Sequence, residues 1–355
     1  MLKCRMIGID LFAGAGGMTL GARSQGINVR IAVERDPFAV ATYRRNNAEV
    51  DVFCGDIRRF TKFPACRRGE AKILFGGPPC QGFSTSNQRT RSSANPTNWL
   101  FREFLRVALH WEPNWIVFEN VKGILETERA HFFEMTTRRL RQLGYGLSHG
   151  VLNAADFGIP QNRNRLFVIG RRDGPPPPLP TATSPRPLVV AEAIDDLPVL
   201  ANGAAEDILP YSKLATSPYA RRLRKNRFKC SGHLVTQNAP HVTARYPYIP
   251  PGGNWQSIPR RLMRNYTFES EYHTGVYYRL KSDEPSLVIG NYRKNMVVHP
   301  SQDRGLSVRE AARIQSFPDS YRFCGSIGFQ QQQVGNAVPP LLASAVFQCI
   351  AEATQ

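Results

Sequence analysis

The chain has 355 residues, 42% of them hydrophobic, and a formal net charge of +18. That is enough apolar residue for a large core and enough length for two domains, and so strong a basic excess favours a polyanionic partner, nucleic acid first among them. Seven scattered cysteines without a CxxC pair argue against a disulfide framework and against a zinc site, and no run reaches the roughly 18 apolar residues of a membrane span.

In chain order, the first half alternates apolar runs with helical patterns. RMIGIDLFA reads as a strand, GGMTLGARSQG as a helix ending near Gly26, NVRIAVE as a second strand and PFAVATYRRNN as a second helix. AKILFGG (71–77) and NWIVFEN (114–120) are further strands, with the helix LFREFLRVALHW between them, and NRLFVIGRR closes the series. Strands separated by helices of this length imply βαβ units and a mostly parallel, doubly wound α/β sheet. The N-terminal run faintly imitates a signal peptide, but Asp10 breaks it and no cleavage site follows, so a cytoplasmic, reducing location is expected.

The proline-rich RRDGPPPPLPTATSPRP (171–187) reads as a semi-rigid linker. Beyond it the helix–strand rhythm is lost. Between Ile208 and Phe268 there is no Asp or Glu but eleven Lys and Arg, interleaved with Tyr211, Tyr219, Phe228, Tyr246, Tyr248, Trp255 and Tyr266. Charge runs are usually solvated faces, yet surfaces normally mix both signs, so an acid-free stretch this long favours a nucleic-acid-facing domain. Regular structure resumes at LSVREAARIQSF (306–317), and Pro339 and Pro340 open a final apolar helix.

Four local patterns can carry chemistry. In IDLFAGAGGMTLG (9–21) a strand enters a glycine turn and a helix, whose N-terminal amides suit an anionic group. Gly14, Gly16 and Gly17 allow close approach of a ligand; GxGxxG counted from Gly14 puts Thr19 at the third glycine, so this is no dinucleotide fingerprint. Glu34 ends the second strand, roughly twenty residues on, where a carboxylate can bind a ribose hydroxyl pair. A merely tight turn would look the same. In GGPPCQGFS (76–84) two prolines fix the backbone ahead of Cys80, a loop thiol placed to react rather than to pack. The polar run 84–98 follows like a mobile loop. In FENVKG (118–123) Glu119 stands just past a strand's carboxyl end, as a proton donor or acceptor for a base or as a plain salt-bridging residue. In PQNRNRLFVIG, Arg163 and Arg165 alternate at strand period, able to hold a carbonyl or phosphate together or to form an ordinary surface pair.

Read together, DLFAGAGG, GGPPCQGFS, ENVKG, QNRNR, REAARIQSFPDSY and QVGNAVPP resemble the ordered blocks of the C5-cytosine-specific DNA methyltransferases, prokaryotic and restriction-modification in type, over nearly the full chain. The resemblance implies the S-adenosylmethionine-dependent methyltransferase fold. Its catalytic domain would be 1–172 completed by 330–355, with a smaller target-recognition domain and hinge over 173–329. It implies S-adenosyl-L-methionine as cofactor, with the carboxylate after Gly17, the ribose on Glu34, the adenine near Phe12 and Arg35, the exocyclic amine near Asp56 beside Ile57, and Asn336 close by. Arg35 stands where many relatives carry an aromatic residue, and a guanidinium can stack there instead. Cys80 would add to cytosine C6, Glu119 would hydrogen-bond N3 and the exocyclic amine, and Arg165, supported by Arg163, would hold O2. The substrate would be double-stranded DNA with its target cytosine flipped out. The compact chain is consistent with a monomeric modification enzyme partnered by a cognate restriction endonuclease. The rivals are a tRNA-cytosine methyltransferase, expected to have another context after Pro-Cys and a less basic insert, and a silent DNA-binding homologue, expected to have lost Cys80 or Glu119.

Overall fold

The computed structural model describes residues 5–79, 99–126, 130–264, 274–290, 292 and 296–354. Cys80 and the run 84–98 lie outside the described residues. The contacts divide the chain into two compact units. The first holds Met1–Phe157, Arg163–Thr183 and Pro340–Gln355, and the second Gly158–Asn162 and Ser184–Pro339.

The first unit is built on one seven-stranded sheet. Its strands are β1 (Arg5–Leu11), β2 (Asn28–Glu34), β3 (Asp51–Cys54), β4 (Glu70–Gly76), β5 (Trp115–Val121), β6 (Tyr145–Asn153) and β7 (Asn164–Arg172). They lie in the order β3-β2-β1-β4-β5-β7-β6, parallel except that β7 runs against both β5 and β6. The order reverses between β1 and β4, and in open α/β sheets the crevice outside the strand ends at such a reversal is where ligands bind. The fold is α/β and doubly wound, as the alternating apolar runs imply.

Helices cover both faces because the central strands are apolar on both. From β1, Ile7, Ile9 and Leu11 point into a core shared with Phe104, Val107 and Trp111 of α3 (Phe101–Trp111) and with Phe132 and Leu140 of α4 (His131–Gln142). On the opposite face Phe75 meets Phe347 edge-on at 4.9 Å, which docks the C-terminal helix Pro340–Ala353. That helix packs against α1 (Gly17–Ser24) across a glycine: a Cβ on Gly21 would lie 2.6 Å from Ala343 Cβ and from the Ser344 nitrogen. Ser24 Oγ and Ser344 Oγ, 2.8 Å apart, close the seam.

α2 (Pro37–Asn46) starts at Asp36, whose carboxylate accepts from the Phe38 and Ala39 amides, with Pro37 in the first turn. Strands β3 and β6 and helix α4 are additions to the elements expected from sequence.

The second unit has little sheet. Ile208–Pro210 pairs with Lys229–Ser231, and a small core gathers Val242, Tyr246, Ile249, Ile258, Met263, Tyr277 and Val298. The helix Val308–Ile314 carries three fully buried cationic or anionic side chains, each partnered. Arg313 binds Asp196 at 2.5 Å and Asp319 at 2.7 Å, and Arg309 donates to the Ser231 carbonyl at 2.6 Å. Glu310 takes two hydrogen bonds from Arg304 at 2.6 and 2.9 Å. Burial would raise the Glu310 carboxyl, but the Arg304 charge and hydrogen bonds win and hold it at about 2.

One apolar stretch, Ile327–Ala353, contains a window long and apolar enough to cross a membrane, which corrects the expectation that none does. Within it 61% of the window is buried in protein, and the helix is interrupted between Asn336 and Pro340, so core packing accounts for its hydropathy.

Candidate functional site

The glycine turn between β1 and α1 is organised around Glu34. Its Oε2 accepts from the Gly14 amide at 2.8 Å, and its Oε1 accepts from the Arg35 and Asp36 amides at 2.7 and 2.8 Å. The Glu34 carbonyl accepts from Gly55 at 2.9 Å, which brings Asp56 and Ile57 beside the end of β2. Phe12, Gly14 and Gly16 all have positive φ (57°, 53° and 85°), so the turn bends sharply, and a Cβ on Gly14 would meet nothing within 4 Å. No side chain caps α1, whose first-turn amides remain for an anionic group. A carboxylate fixed by three amides, an open glycine and an uncapped helix start fit an α-amino acid joined to a ribose. Ile57 is buried and Arg35 exposed. Asp56 is engaged by Arg58, at 2.6 Å through Nη2, and these hydrogen bonds hold its carboxyl down at about 2. An amine there would have to share the carboxylate with Arg58.

Beneath the turn lies a buried polar chain that no motif announces. Thr19 Oγ1 donates to Asp10 Oδ2 at 2.7 Å and lies 2.7 Å from the Tyr43 hydroxyl, all three side chains being buried. Burial pushes the Asp10 carboxyl up to about 8, against the Thr19 hydrogen bond and with help from the Glu34 charge. Its signal in the sequence is an aspartate in an otherwise apolar strand, which also reads as the residue that breaks a leader-like run.

The second group sits at the carboxyl ends of β4 and β5. Glu119 and Arg165 come from antiparallel neighbours: Val121 pairs with Arg165, and Glu119 lies two residues back on the same face. Arg165 Nε stands 3.1 Å from Glu119 Oε1. Arg163 is buried just ahead of β7, its amide donating to Asn153 Oδ1 at 2.9 Å, and its charge also bears on Glu119. Burial pushes the Glu119 carboxyl up, and Arg165 and then Arg163 offset part of that rise. A side chain on Gly77 would run into Glu119 Oε2, so the loop out of β4 comes tight against this carboxylate. The neighbouring Asn120, also buried, donates through Nδ2 to the Pro78 carbonyl at 3.2 Å.

The structure thus brings Phe12, Gly14, Gly16, Gly17, Glu34, Arg35, Asp56 and Ile57 into one group, and Glu119, Arg163 and Arg165 into another. Cys80 is outside the described residues, but Pro78 and Pro79 lead up to it from the loop that Glu119 and Asn120 hold. Asn336 is exposed at the end of the helix Ile327–Asn336 and belongs to the second unit.

Comparison with known proteins gives the family and the fold. The family model for C-5 cytosine-specific DNA methylase matches residues 6–352. The Type II methyltransferase M1.HphI of Haemophilus parahaemolyticus is 35% identical over 96% of this chain and 86% of its own. The Type II methyltransferase M.DdeI of Desulfomicrobium norvegicum is 32% identical over 96% and 88%. Among solved structures, a prophage-encoded E. coli protein described as a DNA modification methyltransferase superposes with a TM-score of 0.78 at 23% identity, covering 98% of this chain and 99% of that one. The methyltransferase EhMeth of Entamoeba histolytica gives 0.64 at 14%, covering 99% of each. These structural likenesses bear on the fold, and the sequence matches on the family. The chain belongs to the C-5 cytosine-specific DNA methylase family and is a DNA (cytosine-5-)-methyltransferase.

Proposed function

We propose that the protein transfers a methyl group from S-adenosyl-L-methionine to C5 of a cytosine flipped out of a specific duplex sequence, through a covalent bond between Cys80 and C6. The observation that carries this reading is the buried Glu119 carboxyl, pushed up in pKa and flanked by Arg165 and Arg163, against the loop that leads to Cys80. Cytosine C5 is a poor nucleophile. Addition of the Cys80 thiolate to C6 breaks the C5–C6 π bond and sends its electron pair toward C5 and the N3 side of the ring. In its protonated form, which burial favours, the Glu119 carboxyl can donate to N3 while its other oxygen accepts from the exocyclic amine, stabilising that electron shift. Arg165 would hold O2, with Arg163 behind it. When bound, S-adenosyl-L-methionine supplies the electrophilic methyl. Loss of the C5 proton to a base, with expulsion of the Cys80 thiolate, restores the ring.

The cofactor would rest on the glycine turn, with its carboxylate at the start of α1, its ribose hydroxyls on Glu34 and its adenine between Phe12 and Arg35. Asp56 and Ile57 would lie at the adenine edge, with Asn336 close by. Residues 173–329 would read the DNA sequence, and 1–172 with 330–355 would do the chemistry. The relatives named as Type II methyltransferases support a role as the modification partner of a restriction endonuclease, acting as a monomer.

Covalent trapping tests the reading. Incubated with S-adenosyl-L-methionine and a mixed-sequence duplex containing 5-fluorocytosine, the wild type should form a denaturation-resistant protein–DNA adduct, because fluorine blocks the final elimination. Cys80→Ser should form none. An adduct on fluorinated RNA alone would move the substrate to RNA, and no adduct on either would overturn the mechanism.

A further inference from the structure

Building on the DNA-methyltransferase reading, we infer that the outer face of residues 221–229 is a sequence-independent phosphate clamp, which grips the DNA backbone without reading bases. The segment runs from the helix Pro218–Arg224 into the strand Lys229–Ser231. Its inner side is pinned. Tyr219, Ala220, Leu223 and Cys230 are buried, the Tyr219 hydroxyl donates to the Arg313 carbonyl at 2.6 Å, and the Leu223 carbonyl accepts from the Asp319 amide at 3.0 Å. Arg224 lies over the Tyr211 ring at 3.7 Å and donates to the Lys213 and Arg227 carbonyls at 2.8 and 3.1 Å, tying the helix end to the strand start.

The outer side has the opposite character. Arg221, Arg222, Lys225, Arg227 and Lys229 are all exposed, and none forms an ion pair with a carboxylate among the described residues. The nearby Asp196 and Asp319 are already engaged by the buried Arg313, and Asp196 also faces Arg224. Phe228 stands among these cations at 86% exposure, although a solitary apolar ring of that size gains nothing from water. Five like charges within nine residues repel one another, and only a polyanion offsets the repulsion that a rigid scaffold maintains by holding them together.

The same features indicate backbone rather than base contact. Base reading needs side chains held in one rotamer, as a bidentate pair requires. Arg221 donates to the Ser217 and Thr216 carbonyls at 3.4 and 3.1 Å, and Arg222, Lys225, Arg227 and Lys229 are long exposed cations on a fixed frame, which suits phosphates met at any register. Phe228 would lie against deoxyribose or a base face, contributing apolar contact that is insensitive to salt.

The test uses the full-length protein, a labelled mixed-sequence duplex and the duplex carrying the trapped target site, with affinity measured across a salt series. Arg222→Gln, Arg227→Gln and Lys229→Gln combined should weaken both duplexes by the same factor. The slope of log affinity against log salt should fall by about 2.7, since each phosphate left without its cation removes about 0.9. Preference for the target duplex over the mixed-sequence duplex should be unchanged. Phe228→Ala should weaken both duplexes at an unaltered slope. A charge-matched control on α4, Arg138→Gln with Arg139→Gln and Arg141→Gln, should keep the wild-type slope. An unchanged slope in the first variant, an equal drop in the control, or a loss confined to the target duplex would each overturn the clamp. Binding and its salt slope are read without methyl transfer, so failure of the clamp is distinct from failure of the trapping experiment.

Discussion

The side-chain amide of Asn120 donates to the carbonyl of Pro78 across the ends of β5 and β4, at 3.2 Å in a buried setting. One residue further along β5 than Glu119, it ties the loop that leads to Cys80 to the strand that presents the carboxylate. The loop out of β4 is therefore held at Pro78 to the end of β5 by one buried hydrogen bond. Replacing Asn120 with Ala leaves the Pro78 carbonyl without this donor and should cost about 1–3 kcal/mol of stability. Steady-state kinetics should show a fall in kcat with DNA affinity little altered, since the substitution takes nothing from the DNA-binding surface.

Glu119→Gln retains the shape but cannot cycle a proton. Its kcat should fall by about 10² or more, the scale of losing one preorganised donor at a developing charge. In the wild type the carboxyl is raised, so the folded protein holds a proton over a range where the unfolded chain has lost it. The stabilisation this gives is complete below the ordinary Glu value and is lost as pH rises through the raised one. A pH–kcat profile should therefore fall on the alkaline side for the wild type, and that limb should be missing from the residual activity of Glu119→Gln.

Asp10 makes the same argument for stability, over a defined span of pH. Its carboxyl moves from 3.8 to about 8 on folding, so its stabilisation is full below 3.8 and disappears as pH rises through about 8. Thermal melts across this range should show the wild type losing stability towards alkaline pH relative to Asp10→Asn. The Asn variant keeps an acceptor for Thr19 and has nothing to ionise.

Glu34→Ala removes the acceptor of three amides at once. Calorimetric titration with S-adenosyl-L-methionine should show affinity lower by about 10-fold to 100-fold, the worth of a charge-assisted hydrogen bond. Cys80→Ser, by contrast, should bind the cofactor as the wild type does.

Much of the first unit can be read from sequence because its signals are local. Apolar runs bounded by Gly and Pro mark β1, β2, β4, β5 and β7, and the glycine turn announces its own bend. What stays hidden depends on neighbours. β3 has four residues, and β6, YGLSHGVLN, mixes glycine, serine and histidine on a strand at the sheet's edge, so neither makes an apolar run. The reversed direction of β7 is written nowhere in its composition. Glu119 and Arg165 can each be singled out, but their 3.1 Å approach depends on a register between two strands more than forty residues apart. Arg309 and Arg313 show the limit most clearly. On a helix wheel they look like surface charges, yet Arg313 is buried because Asp196 arrives from a distant segment and Asp319 from just past the helix, and Arg309 because the Ser231, Pro318 and Tyr321 carbonyls accept from it.

The seam between α1 and the helix Pro340–Ala353 should tolerate little change. Gly21→Val would push a side chain into Ala343 and Ser344 and should lower stability by about 1–3 kcal/mol, read as a reduced melting temperature. The seam also sets an order of events during synthesis. The turn at Gly14 and its helix leave the ribosome long before the surface that covers Gly21. While the middle of the chain is being translated, α1 waits with one side bare, and a product cut short before residue 340 never acquires its cover. Completion of the first unit is thus deferred until residues 340–353 are made, hundreds of residues after α1.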